Sequence, residues 1–280
     1  MLRIAVPNKG ALAGPTSDLL REAGYRQRGE GRELVLIDPE NEVEFFYLRP
    51  RDIAVYVGAG TVDAGITGRD LMLDSGVEAV EHRRLGFARS TFRFAAPVGT
   101  MASLGDIRGK RVATSYAGVV RDYLRDHDVE ATVVRLDGAI ESTVHLGVAD
   151  LVADVVETGA TLRAAGLEVF GEKILESEAV LIRPTGEPRA GMEILDRRIK
   201  SVQVARQYVM MDYDVPEDLV DVAVSITPGL ESPTVSPLHS DGWMAVRAMV
   251  DAEQAHRTMD RLYDLGARAI LVTSIEACRL

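Results

Sequence analysis

A chain of 280 residues, 46% of them hydrophobic, is long enough for two or three modest domains with buried cores. Its 32 Lys and Arg against 43 Asp and Glu leave a net charge of −11, which opposes non-specific nucleic-acid binding and adsorption to anionic membranes, so any anion site must be local. No apolar run approaches the roughly 18 residues that span a bilayer, and MLRIAVPNKG has the pattern of a strand and turn without a signal peptide's cleavage region; a cytoplasmic location is expected.

In chain order, the pattern predicts a strand over residues 2–6, the loop PNKGALAG, a helix over 15–23, and strands over 34–38 and 43–48 joined as a hairpin by PEN. A helix over 52–57, a strand over 64–67 and a helix start at Gly68-Arg69-Asp70 continue an α/β alternation and complete one lobe. LGDIRGKRVATSY restarts the pattern. A short helix, a strand over 111–115, helix 119–125, strand 132–136, helix 139–146 and strand 151–156 make a second lobe. The chain is expected to cross between lobes near 90–97 and again near 173–181, and such paired crossings are hinge candidates. Beyond the turn-rich PTGEPRAG and a helix over 192–202, a third unit reads as strand 207–213, helix 217–225, strands 234–237 and 243–250, helix 252–265 and strand 269–274. That order is βαββαβ. Ala255, Met259, Leu262 and Leu265 form an apolar stripe expected to bury on a four-stranded antiparallel sheet. The expected domains are 1–90 with 176–206, 91–175, and 207–280.

The most informative stretch is DVVETGAT, residues 154–161, where a short apolar run opens through Thr-Gly into a helical pattern. First-turn amides and the positive end of a helix suit an anionic oxygen. Gly159 lets backbone come close, Thr158 and Thr161 add hydroxyl donors, and Asp154 and Glu157 suit ribose hydroxyls or Mg²⁺. Phosphate beside acids points to a phosphorylated sugar; an ordinary capping turn with solvated acids fits the same letters. DAGITGRD, at 63–70, repeats the Asp-to-Thr-Gly offset, either by chance or as the facing wall of one cleft. Other chemistries find little support: the lone Cys278 permits no internal disulfide, the five histidines lack close ligand spacing, and no G-x-S-x-G, Walker loop or G-x-G-x-x-G is present.

Four segments, VPNKG, FFYLRPRDIAVYVGAGTVDAGITGRD, ADVVETGATL and ITPGLESPTVSPL, resemble in sequence and order those of the long-form ATP phosphoribosyltransferases. The resemblance implies transfer of the phosphoribosyl group of phosphoribosyl pyrophosphate (PRPP) to N1 of the ATP adenine, releasing pyrophosphate, with Mg²⁺ required and histidine as feedback inhibitor. It further implies an α/β fold of two lobes of the type II periplasmic-binding-protein kind plus a ferredoxin-like regulatory domain, assembly as homo-dimers and hexamers, and AMP as a competitive inhibitor. A nucleotide or solute sensor on the same cleft, without catalysis, is the alternative.

On this resemblance Glu157, Thr158, Gly159, Ala160 and Thr161 grip the 5′-phosphate and Asp154 takes the ribose hydroxyls. Arg49 and Arg51 flank Pro50, and Lys9 follows the first strand; all three either project into the cleft or are solvated surface cations. The expected roles are Arg49 as stabiliser of the leaving pyrophosphate and Lys9 as a phosphate contact, because cations belong there and a guanidinium grips two oxygens. Asp70 either caps a helix or serves the nucleotide, Tyr116 either stacks on the ligand or packs, and Ser90, at the first crossing, joins the substrate-binding set. Glu141 either reaches Mg²⁺ through water or caps a helix. In the tail, Asp214, Leu230, Ser232, Thr234 and Ala269 match the family's histidine-binding positions, where turn chemistry alone also accounts for ESPTVSP.

Overall fold

The computed structural model describes residues 1–29, 33–138, 140–156 and 159–279, which divide into two compact units, 1–18 with 26–193 and 19–25 with 194–280. The first unit holds two sheets. β1 (Leu2–Pro7) leads through α1 (Ala13–Glu22) to the hairpin of β2 (Val35–Asp38) and β3 (Val43–Leu48), then to α2 (Pro50–Gly58), β4 (Ala64–Gly68), α3 (Arg69–Ser75) and β5 (Ala79–Arg84). The chain then enters a second sheet through β6 (Ser90–Pro97), β7 (Arg111–Thr114), α4 (Ala117–Asp126), β8 (Thr132–Arg135), α5 (Ser142–His145), β9 (Leu151–Val156), α6 (Ala160–Ala164) and β10 (Leu167–Ser177). It returns to the first sheet as β11 (Ala179–Pro184), giving orders β2-β3-β1-β4-β11-β5 and β10-β6-β9-β7-β8.

β1, β3 and β4 run parallel, so their C-terminal ends share one edge of the first sheet, where α/β proteins bind ligands. α2 lies directly on β4: a Cβ at Gly65 would fall 2.6 Å from Ile53 Cγ2, so only glycine admits that helix. Ile53, Ala54 and Val57 then bury with Ala5, Val180 and Ile182. The second sheet is covered on both faces, by Phe92, Phe94, Val120 and Leu151 on one side and by Ala95, Ala113, Val152 and Leu162 on the other. This explains why LVADVV reads as a continuous apolar run instead of an alternating one.

The two crossings lie side by side. The Leu85 amide donates to the Ala179 carbonyl, the Ala179 amide to Phe87, and the Gly86 amide to the Glu178 carboxylate. β5 and most of β10 are not apparent in the sequence pattern. AVEHRR is half-buried and charged, and β10 carries a register shift between Phe170 and Leu175, which breaks its alternation. The expected helix over 139–146 contracts to α5; Ala139 is outside the described residues.

In the second unit, α7 (Met192–Gln207) leads into β12 (Tyr208–Pro216), a 3₁₀ turn and α8 (Val220–Ile226), β13 (Thr234–Pro237), β14 (Trp243–Asp251), α9 (Ala255–Leu265) and β15 (Arg268–Ser274). The antiparallel order β13-β14-β12-β15 is that of a ferredoxin-like βαββαβ module. Met211, Tyr213 and Val215 alternate inward along β12, and the α9 stripe packs there: Ala255 and Leu262 are buried, with Met259 and Leu265 against the same core. The buried Tyr213 hydroxyl lies 2.7 Å from Thr227 Oγ1, which also bonds the Ala223 carbonyl. Tyr213→Phe is expected to cost about 1 kcal/mol, read as a lower urea midpoint at unchanged slope. Among the described residues no helix is long and apolar enough to cross a membrane.

Candidate active site

The turn between β9 and α6 is built on Gly159, whose φ of 68° lies in the left-handed region. α6 is five residues long, because Ala165 closes onto Leu162 and Gly166 turns the chain left-handed into β10. A helix so short contributes little macrodipole, so the anion-binding capacity expected of it reduces to the first-turn amides and side chains. Gly159 and Thr161 line a cavity of about 330 Å³ together with Asp154 and Glu141. Ala160 is exposed at the start of the helix, and Glu157 and Thr158 lie outside the described residues.

Asp154 is largely withdrawn from water. Burial pushes its carboxyl above the usual carboxylate range, the Val155 amide works against that, and the charges of Glu141 and Asp70 add to the rise. Its Oδ1 accepts from the Val155 amide at 2.8 Å. Glu141 makes no side-chain cap on α5, so capping does not account for it. Among the described residues no group of three acids, histidines or cysteines is placed to hold a metal without other ligands.

A second cavity, of about 210 Å³, shares Val155 with the first and is lined by Lys9, Asp70, Ser90, Tyr116 and Ser177. Four residues selected from sequence therefore converge here. Asp70 is buried but does not cap α3 in the usual way: its amide donates to Ser177 Oγ at 3.0 Å and Ser177 Oγ donates to its Oδ1 at 2.9 Å. Ser177 carries no local sequence signal, standing 107 positions from Asp70. Tyr116 packs edge-to-face on Phe92 with 5.1 Å between centroids, and burial first, then the Asp70 charge, push its phenol well above the usual range. It stays a neutral hydroxyl.

The cations come from strand ends. The Asn8 amide donates to the Leu48 carbonyl at 2.8 Å, which sets the segments carrying Lys9 and Arg49 next to each other. Thr67 Oγ1 donates to the Pro50 carbonyl at 2.7 Å and fixes the start of α2. Arg49 is exposed at the N-cap position of α2 without a cap hydrogen bond. Arg51 is different: its Nη1 donates to Asp74 Oδ2 and to the Ser115 carbonyl, both at 2.9 Å, so the expectation of a third cleft cation is replaced by a structural tie.

The repeat between DAGITGRD and DVVETGAT does not survive as geometry. Gly68 is extended at φ −76°, whereas Gly159 is left-handed; Asp63 precedes its strand and pairs with Arg3 and Arg189, whereas Asp154 is within one.

In the second unit, Asp214 lies on the sheet face opposite the buried Tyr213 and Val215, in register with Ala245 and Arg268. Ala269, at φ 50°, sits where the β12–β15 register slips. Thr234 pairs with Arg247 in the row that contains Asp212, and so shares the face of Asp214. Leu230 and Ser232 are exposed in the loop before β13.

The first unit is thus a two-lobed α/β body of the periplasmic-binding-protein type, whose cleft sets the acid-lined turn after β9 beside basic strand ends, a combination suited to a phosphorylated sugar. The family model described as ATP phosphoribosyltransferase (HisG) matches residues 49–203, and that of the HisG C-terminal domain matches residues 205–277. The chain belongs to the ATP phosphoribosyltransferase family and catalyses its reaction, transfer of the phosphoribosyl group of PRPP to N1 of the ATP adenine, the first step of histidine biosynthesis. The ATP phosphoribosyltransferases of Arthrobacter sp. and Streptomyces coelicolor are 63% and 60% identical to it, each over 100% of both chains. The solved ATP phosphoribosyl transferase (HisG:HisZ) complex from Thermotoga maritima is alike in fold, with a TM-score of 0.59 at 24% identity over 71% of this chain and 99% of that one.

Proposed function

We propose that the turn from Glu157 to Thr161 grips the 5′-phosphate of PRPP, that Asp154 accepts from the ribose hydroxyls, and that Asp70, Ser90 and Tyr116 contact the nucleotide. The observation that carries this reading is the adjacency of two cavities that share Val155 as a lining residue, one with Asp154, Gly159 and Thr161, the other with Lys9, Asp70, Ser90 and Tyr116. Two polyanions have to meet in line at one carbon, and two neighbouring compartments of different chemistry suit that.

As the C1–O bond to pyrophosphate breaks, positive charge grows on the ribosyl ring and negative charge on the leaving group, while the adenine N1–C1 bond forms. Arg49 and Lys9 stabilise the departing pyrophosphate. Asp154, a carboxylate held close to the ribose, stabilises the cation-like ring and orients its hydroxyls. Neutral Tyr116 orients the nucleotide without adding charge.

The family's phosphoribosyl chemistry uses a divalent metal, and Mg²⁺ is the ion we assign. The donor set fits an ion shared with the substrate's phosphates: Asp154 and Glu141 face one cavity, and Mg²⁺ is ordinarily held by one or two carboxylates with phosphate and water completing its shell. When bound, the ion neutralises pyrophosphate charge.

For residues 207–280 we propose a regulatory domain, with 1–90 and 176–206 as one catalytic lobe and 91–175 as the other. Asp214, Leu230, Ser232, Thr234 and Ala269 bind histidine as feedback inhibitor, AMP competes at the nucleotide site, and the enzyme works as a cytoplasmic homo-oligomer, dimer or hexamer. Support for the histidine site is the shared face of Asp214 and Thr234 beside the Ser232 loop. Ser232→Ala is expected to raise the half-inhibitory histidine concentration about tenfold, the worth of one hydrogen bond to a charged ligand. Absorbance-detected formation of phosphoribosyl-ATP, with and without histidine, tests the whole reading; product formation that histidine leaves unchanged removes the regulatory part.

A further inference from the structure

A polar junction beyond the two cavities ties the lobes of the two sheets together. Asp74, on α3, has a side chain only 6% exposed, and both its oxygens are used. Oδ2 receives Arg51 Nη1 at 2.9 Å, while Oδ1 accepts from the amides of Gly118 at 2.8 Å and Val119 at 3.4 Å, in the first turn of α4. One carboxylate therefore satisfies a cation of its own lobe and helix-end amides of the other. Arg51 repeats the bridge from its side, since the same Nη1 reaches the Ser115 carbonyl at 2.9 Å. Backbone follows side chain: a Cβ at Gly118 would lie 2.5 Å from the Asp74 carbonyl oxygen, so the end of α3 and the start of α4 are in direct contact.

Tyr116 stands between the two clasped points, Ser115 and Gly118. The Arg51 guanidinium lies 4.8 Å from its ring centroid, Phe92 meets it edge-on, and its hydroxyl faces the Asp70 carboxylate. The tyrosine ring is thus packed between Arg51 and Phe92, next to the clasp.

We propose that Arg51 and Asp74 are positioning residues for the transfer reaction: they clasp the start of α4 to the lobe of the first sheet and so hold Tyr116 against Asp70 on the cleft wall. This rests on the reading that Tyr116 and Asp70 contact the nucleotide. Neither Arg51 nor Asp74 touches substrate; they act through the tyrosine.

The test compares full-length Arg51→Lys, Asp74→Asn, Asp74→Ala, Tyr116→Phe and the double variant Asp74→Ala/Tyr116→Phe. Steady-state kinetics with each substrate and amide hydrogen exchange at Gly118 and Val119 are the readouts. Asp74→Ala is expected to speed exchange at both amides and to raise KM for ATP about tenfold with a smaller change in kcat. Asp74→Asn keeps an acceptor for the Gly118 amide but loses Arg51's charge partner, and falls in between. Arg51→Lys keeps the charge without the planar guanidinium that lies over Tyr116 and shows the milder loss if Asp74→Ala does not fold. The double variant is expected to be no worse than its worse parent, because both changes remove one thing. A lower Tm with unchanged KM, or fully additive effects in the double variant, overturns the proposal. Tyr116→Phe without effect on ATP overturns the nucleotide-site reading and the proposal with it; Tyr116→Phe impaired beside a silent Asp74→Ala overturns the proposal alone.

Discussion

Asp154→Asn is expected to make the free protein more stable at neutral pH while raising KM for PRPP roughly 10- to 100-fold, about the worth of one charge-assisted hydrogen bond to a ribose hydroxyl. The two effects share one cause. Burial raises the folded-state pKa of Asp154 above its unfolded value of 3.8, so the folded protein holds the proton more tightly than the unfolded chain does. For such a group the favourable contribution is full below the unfolded pKa and is lost as pH rises through the folded pKa. At neutral pH the whole penalty of a buried, charged carboxylate is present, and asparagine removes it. The gain in Tm therefore shrinks when the comparison is repeated below about pH 4, where aspartate is protonated in both states. Ligand hydroxyls stabilise the charged form, so PRPP affinity of the unmodified protein weakens as pH falls toward the raised pKa, and the Asn variant loses that dependence. Thermal melts at two pH values and PRPP titrations across the same range measure all of it. A less stable Asn variant at pH 7 would mean that Asp154 is a structural partner, contrary to its role here.

Gly159→Val attacks the same turn through the backbone. At φ 68° a β-branched residue costs roughly 1–2 kcal/mol, whereas steric crowding is minor, because the new Cβ would meet at 3.1 Å only the mobile end of Arg163. The strain is relieved by swinging the turn open at the exposed start of α6, away from the buried β9. Stability then falls by no more than a few degrees in Tm, while kcat/KM for PRPP falls at least about 100-fold, since amides displaced by an ångström no longer meet the phosphate. Gly159→Ala, without the branch, is expected to lose less. A valine variant retaining full kcat/KM would show that this backbone does not hold the phosphate.

Much of the fold was legible because the pattern was local. LVADVV is apolar throughout since both faces of its sheet are covered, and the Ala255 stripe has the helical period that its burial requires. What escaped was set by distant partners. AVEHRR has no apolar alternation, and it becomes a strand through pairing with β11, about a hundred positions later. Ser177 reads as an ordinary hydroxyl until the fold brings it to Asp70. Arg51 and Arg49, two letters apart, are alike in sequence; α2 separates them, leaving one at its N-cap and turning the other to Asp74. The matching Thr-Gly pairs, open in sequence between chance and facing walls of one cleft, differ in backbone, with φ values of opposite sign at Gly68 and Gly159.

The most direct measurement is a crystal structure of the protein with PRPP. The 5′-phosphate is expected within hydrogen-bonding distance of the Gly159 to Thr161 backbone, and the ribose hydroxyls on Asp154. A phosphosugar bound elsewhere, with no ligand hydroxyl on Asp154, would contradict it.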